Sequence, residues 1–329
     1  MREQPPEVSI LIVNFNGGDT VLDCLRSVRV QTRGVRYEVL VVDNGSTDGS
    51  PDTMQRAFPG VQLVRNPDNR GFARAANQAL RAARGCLLLL LNGDTLLPGN
   101  AVKEMAEFLG RHPGAGIAGG MLLNEDGTYQ KSAGDFRSIR NEWREKRTRA
   151  GVERGAQAAW KREVRFAGRV RSVDWVSGAF LMTRRAVADR IGPLDERMFL
   201  YFEDIDWCAR ARRAGWQVVY NPQVRVIHLG GRSTSRNRLQ SRLAYRRSQL
   251  LFYHTYHGCG PDTQALRLYF LALALAEGAA ARMPARPGSG RGQRDPAGGR
   301  RMSRELFRLA LSGALPDRND EPHTREEGS

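Results

Sequence analysis

Apolar residues fall in short blocks along the first hundred positions, with polar residues between them. Residues 8–13 (VSILIV) and 37–42 (YEVLVV) are β-branched runs, and residues 86–91 (CLLLLL) form a continuous apolar run. Runs of this length without alternation are the pattern of strands covered on both faces of a parallel sheet. Between them lie helical patterns at residues 20–30, 51–58 and 72–84, the last rich in Ala and closed by Gly85. Strand, helix, strand, helix, strand predicts an α/β domain with a mostly parallel central sheet flanked by helices.

Each apolar run ends in polar and glycine residues, NFNGGDT, DNGSTDGS and NGDT. In open α/β sheets the ligand crevice lies at the carboxyl ends of the strands, so three polar loops are expected to converge on one edge. No GxGxxG follows the first strand and no GxxxxGK[ST] occurs, which argues against a dinucleotide dehydrogenase and a P-loop NTPase. Farther on, residues 173–187 (VDWVSGAFLMTRRAV) predict a strand leading into a helix, and 217–231 (QVVYNPQVRVIHLGG) one or two more strands. From 239 to about 281 the pattern is helical. Its most apolar part has only nine residues between Arg267 and Glu277, too few to span a bilayer. Residues 285–329, rich in Pro, Gly and Arg, read as a disordered tail.

Charge adds a partner class. The 329-residue chain carries a formal +16 and 41% hydrophobic residues, a globular protein whose charge reads either as a site for an anionic partner (nucleic acid, a membrane surface or phosphorylated substrates) or as a solubilised, Arg-rich surface. Residues 137–171 hold twelve Lys/Arg against four Glu, and 232–247 hold six Arg and no acid. A nucleic-acid role would place such charge among aromatics on a recognised module, and none is present. The four cysteines (Cys24, Cys86, Cys208, Cys259) are widely spaced without a CxxC pattern. With no leader signature ahead of the first strand, they fit a reducing, cytoplasmic setting.

The stretch MFLYFEDIDWCARARRAG sets Glu203, Asp204 and Asp206 among Phe199, Tyr201, Phe202 and Trp207, three acids inside an apolar wall. Together with VSILIVNFNGG, VVDNGSTDGS, NRGFARAANQAL, LLLLNGDT, VSGAFLMTRRA and VIHLGG, in that order, it resembles the family 2 glycosyltransferases, especially their rhamnosyltransferase-like members. The resemblance covers roughly residues 7–235. It implies the GT-A nucleotide-diphospho-sugar transferase fold over 1–235, with 137–171 a variable basic segment and 236–284 a C-terminal helical extension. It also implies an inverting transfer in cell-surface polysaccharide synthesis, from a nucleoside diphosphate sugar to a carbohydrate or lipid-linked acceptor. dTDP-rhamnose is the favoured donor and a UDP-sugar the rival; a non-catalytic GT-A-fold binding protein is the alternative from another class.

Such a transfer needs a base for the acceptor hydroxyl and neutralisation of the departing diphosphate. By resemblance Asp204 is the base and Glu203 positions the acceptor or the base. Asp206, Trp207 and Gly178 are expected at the acceptor, and Asn14, Asp43, Arg70, Asn77 and Asn92 at the nucleotide sugar. Asp94 is the expected ligand of Mg²⁺ or Mn²⁺, with His228 completing the metal or diphosphate site. The usual Asp-x-Asp is here NGD, with Asn92 in place of the first acid. Peripheral contact with the inner face of the membrane and pairing of the 265–281 helix with a second copy are further expectations.

Overall fold

The computed structural model describes residues 4–153, 168–230, 238–282 and 295–312. The chain divides into two compact units, 1–237 and 238–329. The first begins β1 (Val8–Asn14), α1 (Gly18–Gln31), β2 (Tyr37–Asn44), α2 (Ser50–Ala57), β3 (Gln62–Asn66), α3 (Phe72–Ala82) and β4 (Leu87–Asn92). It continues with β5 (Thr95–Leu96), α4 (Ala101–Arg111), β6 (Ala115–Leu123), β7 (Tyr129–Gln130), β8 (Ala133–Gly134) and α5 (Ile139–Glu153). After residues 154–167, part of the basic segment and outside the described residues, come β9 (Arg171–Val173), β10 (Trp175–Val176), β11 (Phe180–Arg184), α6 (Arg185–Ile191), α7 (Glu203–Arg213) and β12 (Gln217–His228).

The main sheet runs β3-β2-β1-β4-β11-β6-β12-β5, with β7 added to β6 and β9 to β12. β3, β2, β1 and β4 are parallel, β11 runs antiparallel to both β4 and β6, and β12 is parallel to β6. Val8, Ile10, Leu11 and Ile12 of β1 are buried because helices cover both faces, which explains a strand without alternation. α1 turns Val21, Leu22, Cys24, Leu25 and Val28 inward at helical spacing. α3 offers an alanine face, Ala73, Ala76 and Ala79, that brings it close to the sheet.

Register then fixes what the loops can reach. Asn14 stands opposite Asp43, and Val13 opposite Asn92, so the polar ends of β1, β2 and β4 lie side by side. β12 is one strand rather than two, irregular between Asn221 and Arg225, where Pro222 has no N–H to give the ladder. Its far end pairs His228 with Thr95, which carries the histidine to the loop after β4.

The second unit holds α8 (Arg238–His257), α9 (Pro261–Ala280) and α10 (Pro296–Leu311). The helical pattern expected as one stretch breaks at Gly258 and Gly260. α10 lies inside the segment expected to be disordered. Met302, Leu306, Leu309 and Ala310 are buried at helical spacing, and Asp295 caps the N-terminus by accepting from the Gly298 N–H. Ser303 of α10 donates to the Ala274 carbonyl of α9 at 2.8 Å, and Arg247 of α8 pairs with Glu305 at 2.8 Å. The rest of 285–329 lies outside the described residues. Among the described residues no helix is long and apolar enough to cross a membrane.

Candidate active site

The acid pair sits at the first turn of α7. Tyr201 and Phe202, just before it, both have φ near +69°, a conformation that costs non-glycine residues on the order of 1–3 kcal/mol each. Burial of the Phe202 ring, 2% exposed, holds the turn in place. A second anchor comes from α3, where the Phe72 N–H donates to the Phe199 carbonyl at 2.7 Å. Gly71 makes that approach feasible, since a Cβ there would lie 2.8 Å from the Phe199 oxygen. The strained turn points two carboxyl groups out of a helix start, where the macrodipole favours negative charge.

Glu203 and Asp204 differ in environment. Asp204 Oδ2 accepts from the Gly178 N–H at 2.8 Å, and Oδ1 from the Ile205 N–H at 2.8 Å. A side chain at Gly178 would crowd Asp204, with Cβ 3.3 Å from Asp204 Cβ. Burial pushes the Asp204 carboxyl above the usual range, against the pull of those two N–H groups and the Arg137 charge. Glu203 is pushed well above its ordinary value, by burial first and by the Asp204 charge second. Its Oε2 is buried and has no hydrogen-bond partner among the described residues. Two N–H donors and a nearby cation offset burial at Asp204, whereas burial and the Asp204 charge both raise Glu203. Environments that separate two carboxyls in this way assign them different jobs.

At the end of β4, Asn92, Asp94 and His228 converge. His228 Nε2 lies 3.1 Å from Asp94 Oδ1 and 3.3 Å from Asn92 Nδ2. The Leu229 N–H donates to the Asp94 carbonyl at 2.9 Å and pins β12 to this loop. One carboxylate oxygen and one imidazole nitrogen side by side are donors that Mg²⁺ or Mn²⁺ accepts. Among the described residues no group of three His, Cys, Asp or Glu is placed to hold a metal, so the protein would supply these two and a ligand the rest.

The ends of β1 and β2 carry a hydrogen-bonded network. Asn14 Nδ2 donates to Asp43 Oδ1 at 2.7 Å and to Ser50 Oγ at 3.0 Å. Ser46 Oγ donates to Asp43 Oδ1 at 2.6 Å, and its N–H to Oδ2 at 3.1 Å. A carboxylate offers about four acceptor positions, so Asp43 keeps room for one donor from a ligand. Arg70 is more exposed and pairs with Asp68 at 2.9 Å.

Three residues expected at the ligands face elsewhere. Asn77, fully buried, donates to the Leu194 carbonyl at 2.9 Å and accepts from the Leu194 N–H at 2.9 Å, so it fastens the 193–202 loop rather than a nucleotide. The Asp206 carboxylate is 3% exposed and held by Arg210 at 2.8 Å. Trp207 is buried and its indole N–H donates to the Gly192 carbonyl at 2.9 Å. At helical spacing the first-turn acids point different ways, and it is Asp204 that meets Gly178. Two residues were not singled out from the sequence. Arg137 acts on Asp204, and its guanidinium lies 4.9 Å from the Trp175 ring centre. Gln130 Oε1 sits 2.6 Å from His228 Nδ1. Arg137 opens the segment whose sequence signal was its charge, and Gln130 lies just before it in a stretch that carried no motif.

The family model for glycosyl transferase family 2 matches residues 9–189. The N-acetylglucosaminyl-diphospho-decaprenol L-rhamnosyltransferase of Mycobacterium tuberculosis is 28% identical over 268 residues, 75% of this chain and 84% of that protein. A mannosyltransferase from Pyrobaculum calidifontis, solved with GDP-Man and Mn²⁺, superposes with a TM-score of 0.55 at 20% identity, over 94% of this chain and 87% of that one. The solved structure of GalNAc-T7 with UDP, GalNAc and Mn²⁺ gives 0.55 at 14% identity, over 94% of this chain and 56% of that one.

Proposed function

The chain belongs to glycosyl transferase family 2, and on that premise we propose that it moves rhamnose from dTDP-rhamnose, with inversion, to a lipid-linked carbohydrate acceptor in cell-surface polysaccharide synthesis. The observation that carries the reading is the Asp204 carboxylate, held by two backbone N–H groups beside a Glu203 oxygen that is buried and unpartnered. Asp204 takes the proton of the acceptor hydroxyl while that oxygen attacks the anomeric carbon. The new glycosidic bond forms as the bond to the nucleoside diphosphate breaks. Each Asp204 oxygen spends one lone pair on a backbone N–H and keeps another for the substrate. Glu203, whose carboxyl is the more strongly raised of the two, orients the acceptor through the Oε2 that has no hydrogen-bond partner among the described residues. Asn14, Asp43 and Arg70 hold the nucleotide end.

Asp94 and His228 would hold a divalent cation, with Asn92 beside them. When bound, the cation neutralises charge on the leaving diphosphate. The two solved neighbours, both obtained with Mn²⁺, support this reading. The donor and the lipid diphosphate acceptor class follow the mycobacterial relative's name. A site beside the bilayer's inner face fits such an acceptor.

The test is nucleoside diphosphate release from a panel of dTDP-, UDP- and GDP-sugars with Mn²⁺ and a membrane lipid extract. Wild type is compared with Asp204→Asn. Release from dTDP-rhamnose that falls about 10²–10⁴-fold in the variant, with donor binding retained, is the expected result. Turnover with another donor alone would overturn the sugar assignment. Equal turnover by both proteins would overturn the role of Asp204.

A further inference from the structure

The His228 ring has two faces, and what it can do at one depends on what is held at the other. Gln130 lies on β7, which pairs with the end of β6, and β6 in turn pairs with β12. That arrangement brings Gln130 Oε1 to 2.6 Å from His228 Nδ1, on the side of the ring away from Asp94.

An amide side chain can face either way, so the contact alone does not say which atom carries the proton. The neighbours of Gln130 remove that freedom. Asp126 is an acceptor only, and its carboxyl lies below the usual range because the Thr128 hydroxyl and N–H both bond it. Thr128 Oγ1 therefore donates to Asp126 Oδ1, at 2.6 Å, and must accept from its other neighbour. That neighbour is Asn124 Nδ2, at 2.9 Å, which turns Asn124 Oδ1 toward Gln130. Gln130 Nε2 donates to Asn124 Oδ1 at 3.0 Å, leaving Gln130 Oε1 to face the imidazole. An oxygen there demands a proton on His228 Nδ1. In the neutral ring the lone pair is then on Nε2, aimed at Asn92 Nδ2 and Asp94.

We infer that Gln130 is a positioning residue that locks His228 in the Nδ1–H tautomer and presents its Nε2 lone pair, beside Asp94, to a divalent cation. The inference rests on the metal reading of the site given above. It explains why a carboxylate oxygen and an imidazole lone pair are held 3.1 Å apart, an arrangement that repels until a cation joins them. Partners on the outer nitrogen of a metal-binding histidine are commonly worth about 10–100-fold in metal affinity.

The test uses the full chain. Long-range ¹⁵N–¹H spectra of the metal-free protein, with the His228 signals assigned by their loss in His228→Gln, report which nitrogen carries the proton. Electron paramagnetic resonance titration with Mn²⁺ in the presence of dTDP or UDP reports affinity. Wild type is expected as the Nδ1–H form. Gln130→Leu is expected to lose that preference and about tenfold or more in Mn²⁺ affinity, whereas Gln130→Glu, which keeps an acceptor at Nδ1, holds wild-type affinity within about threefold. Thr128→Val cuts the relay at an exposed turn without touching the histidine. It keeps the proposal testable if Gln130→Leu folds poorly, with a mixed tautomer and an intermediate loss expected. A wild-type proton on Nε2, or wild-type Mn²⁺ affinity in Gln130→Leu, overturns the role of Gln130. A wild type that is Nδ1–H yet binds no Mn²⁺ with either nucleotide overturns the metal reading, and the proposal with it, so the two failures are told apart.

Discussion

Replacing Asn77 with alanine separates a residue that binds the donor from one that holds the catalytic loop. The Asn77 amide exchanges two hydrogen bonds with the backbone of Leu194, both at 2.9 Å, and a third with Glu196 at 3.2 Å. Leu194 is 2% exposed, so alanine would leave its N–H and C=O buried and unpaired. Each such group costs about 1–3 kcal/mol, or roughly 2–6 kcal/mol together. For a unit of this size that corresponds to a Tm lower by on the order of 10 °C. Asn77→Asp, nearly isosteric, is expected to be worse than alanine at neutral pH, because it sets a carboxylate against the Leu194 carbonyl and Glu196. The freed loop runs directly into Phe202 and Glu203, so turnover should fall as well. Thermal denaturation, calorimetric titration with dTDP and steady-state turnover check the three parts. A variant with wild-type Tm and a much weaker nucleotide Kd would refute the reasoning and put Asn77 in the donor pocket.

Glu203→Gln is expected to stabilise the fold at neutral pH. The Glu203 pKa is higher in the folded than in the unfolded chain, so the folded state holds the extra proton and stability falls as pH rises from the ordinary carboxylate value of about 4.3. The advantage of Gln should be near zero at pH 4 and greatest at pH 8; Tm measured across that range checks it, and a variant less stable than wild type at pH 8 would count against it. The acid limb of the kcat/KM profile should lie above that of an ordinary aspartate, since burial raises Asp204, and Arg137→Gln should move it higher by removing a charge that lowers it. An unmoved limb would sever Arg137 from the base. Gly71→Ala places a Cβ 2.8 Å from the Phe199 oxygen at a φ of +83°, so a loss of at least about 1–2 kcal/mol and a drop in turnover larger than any change in nucleotide Kd are expected.

Much of this was legible along the chain. Three apolar runs spaced by helical patterns gave the parallel half of the sheet, and their polar ends gave its polar edge, because both are local properties of period and burial. β6 was harder to see. AGIAGGMLL is rich in glycine, and it is a strand because Val176 and Trp216 lie over Gly119 and Gly116 where side chains would otherwise be. β3 was hidden for another reason, as a short edge strand with Leu63 half-buried and Val64 exposed it carries little apolar pattern. α10 was masked by the arginines and glycines around its four buried positions.

The site divides along the same line. The residue types and their order singled out Glu203, Asp204, Asp94, Asp43 and His228 as candidates for one chemistry. Composition cannot tell how each of three neighbouring acids is held. Tertiary structure decided that, since Arg210 takes Asp206, Gly178 and Ile205 hold Asp204, and Glu203 is left buried with a free oxygen. It likewise turned Asn77 and Trp207 into fasteners and brought Gln130 to His228 across 98 positions of sequence. Periodicity is written into neighbouring residues, whereas the partner of a polar atom depends on whatever the fold brings to it, and only the folded chain sets that.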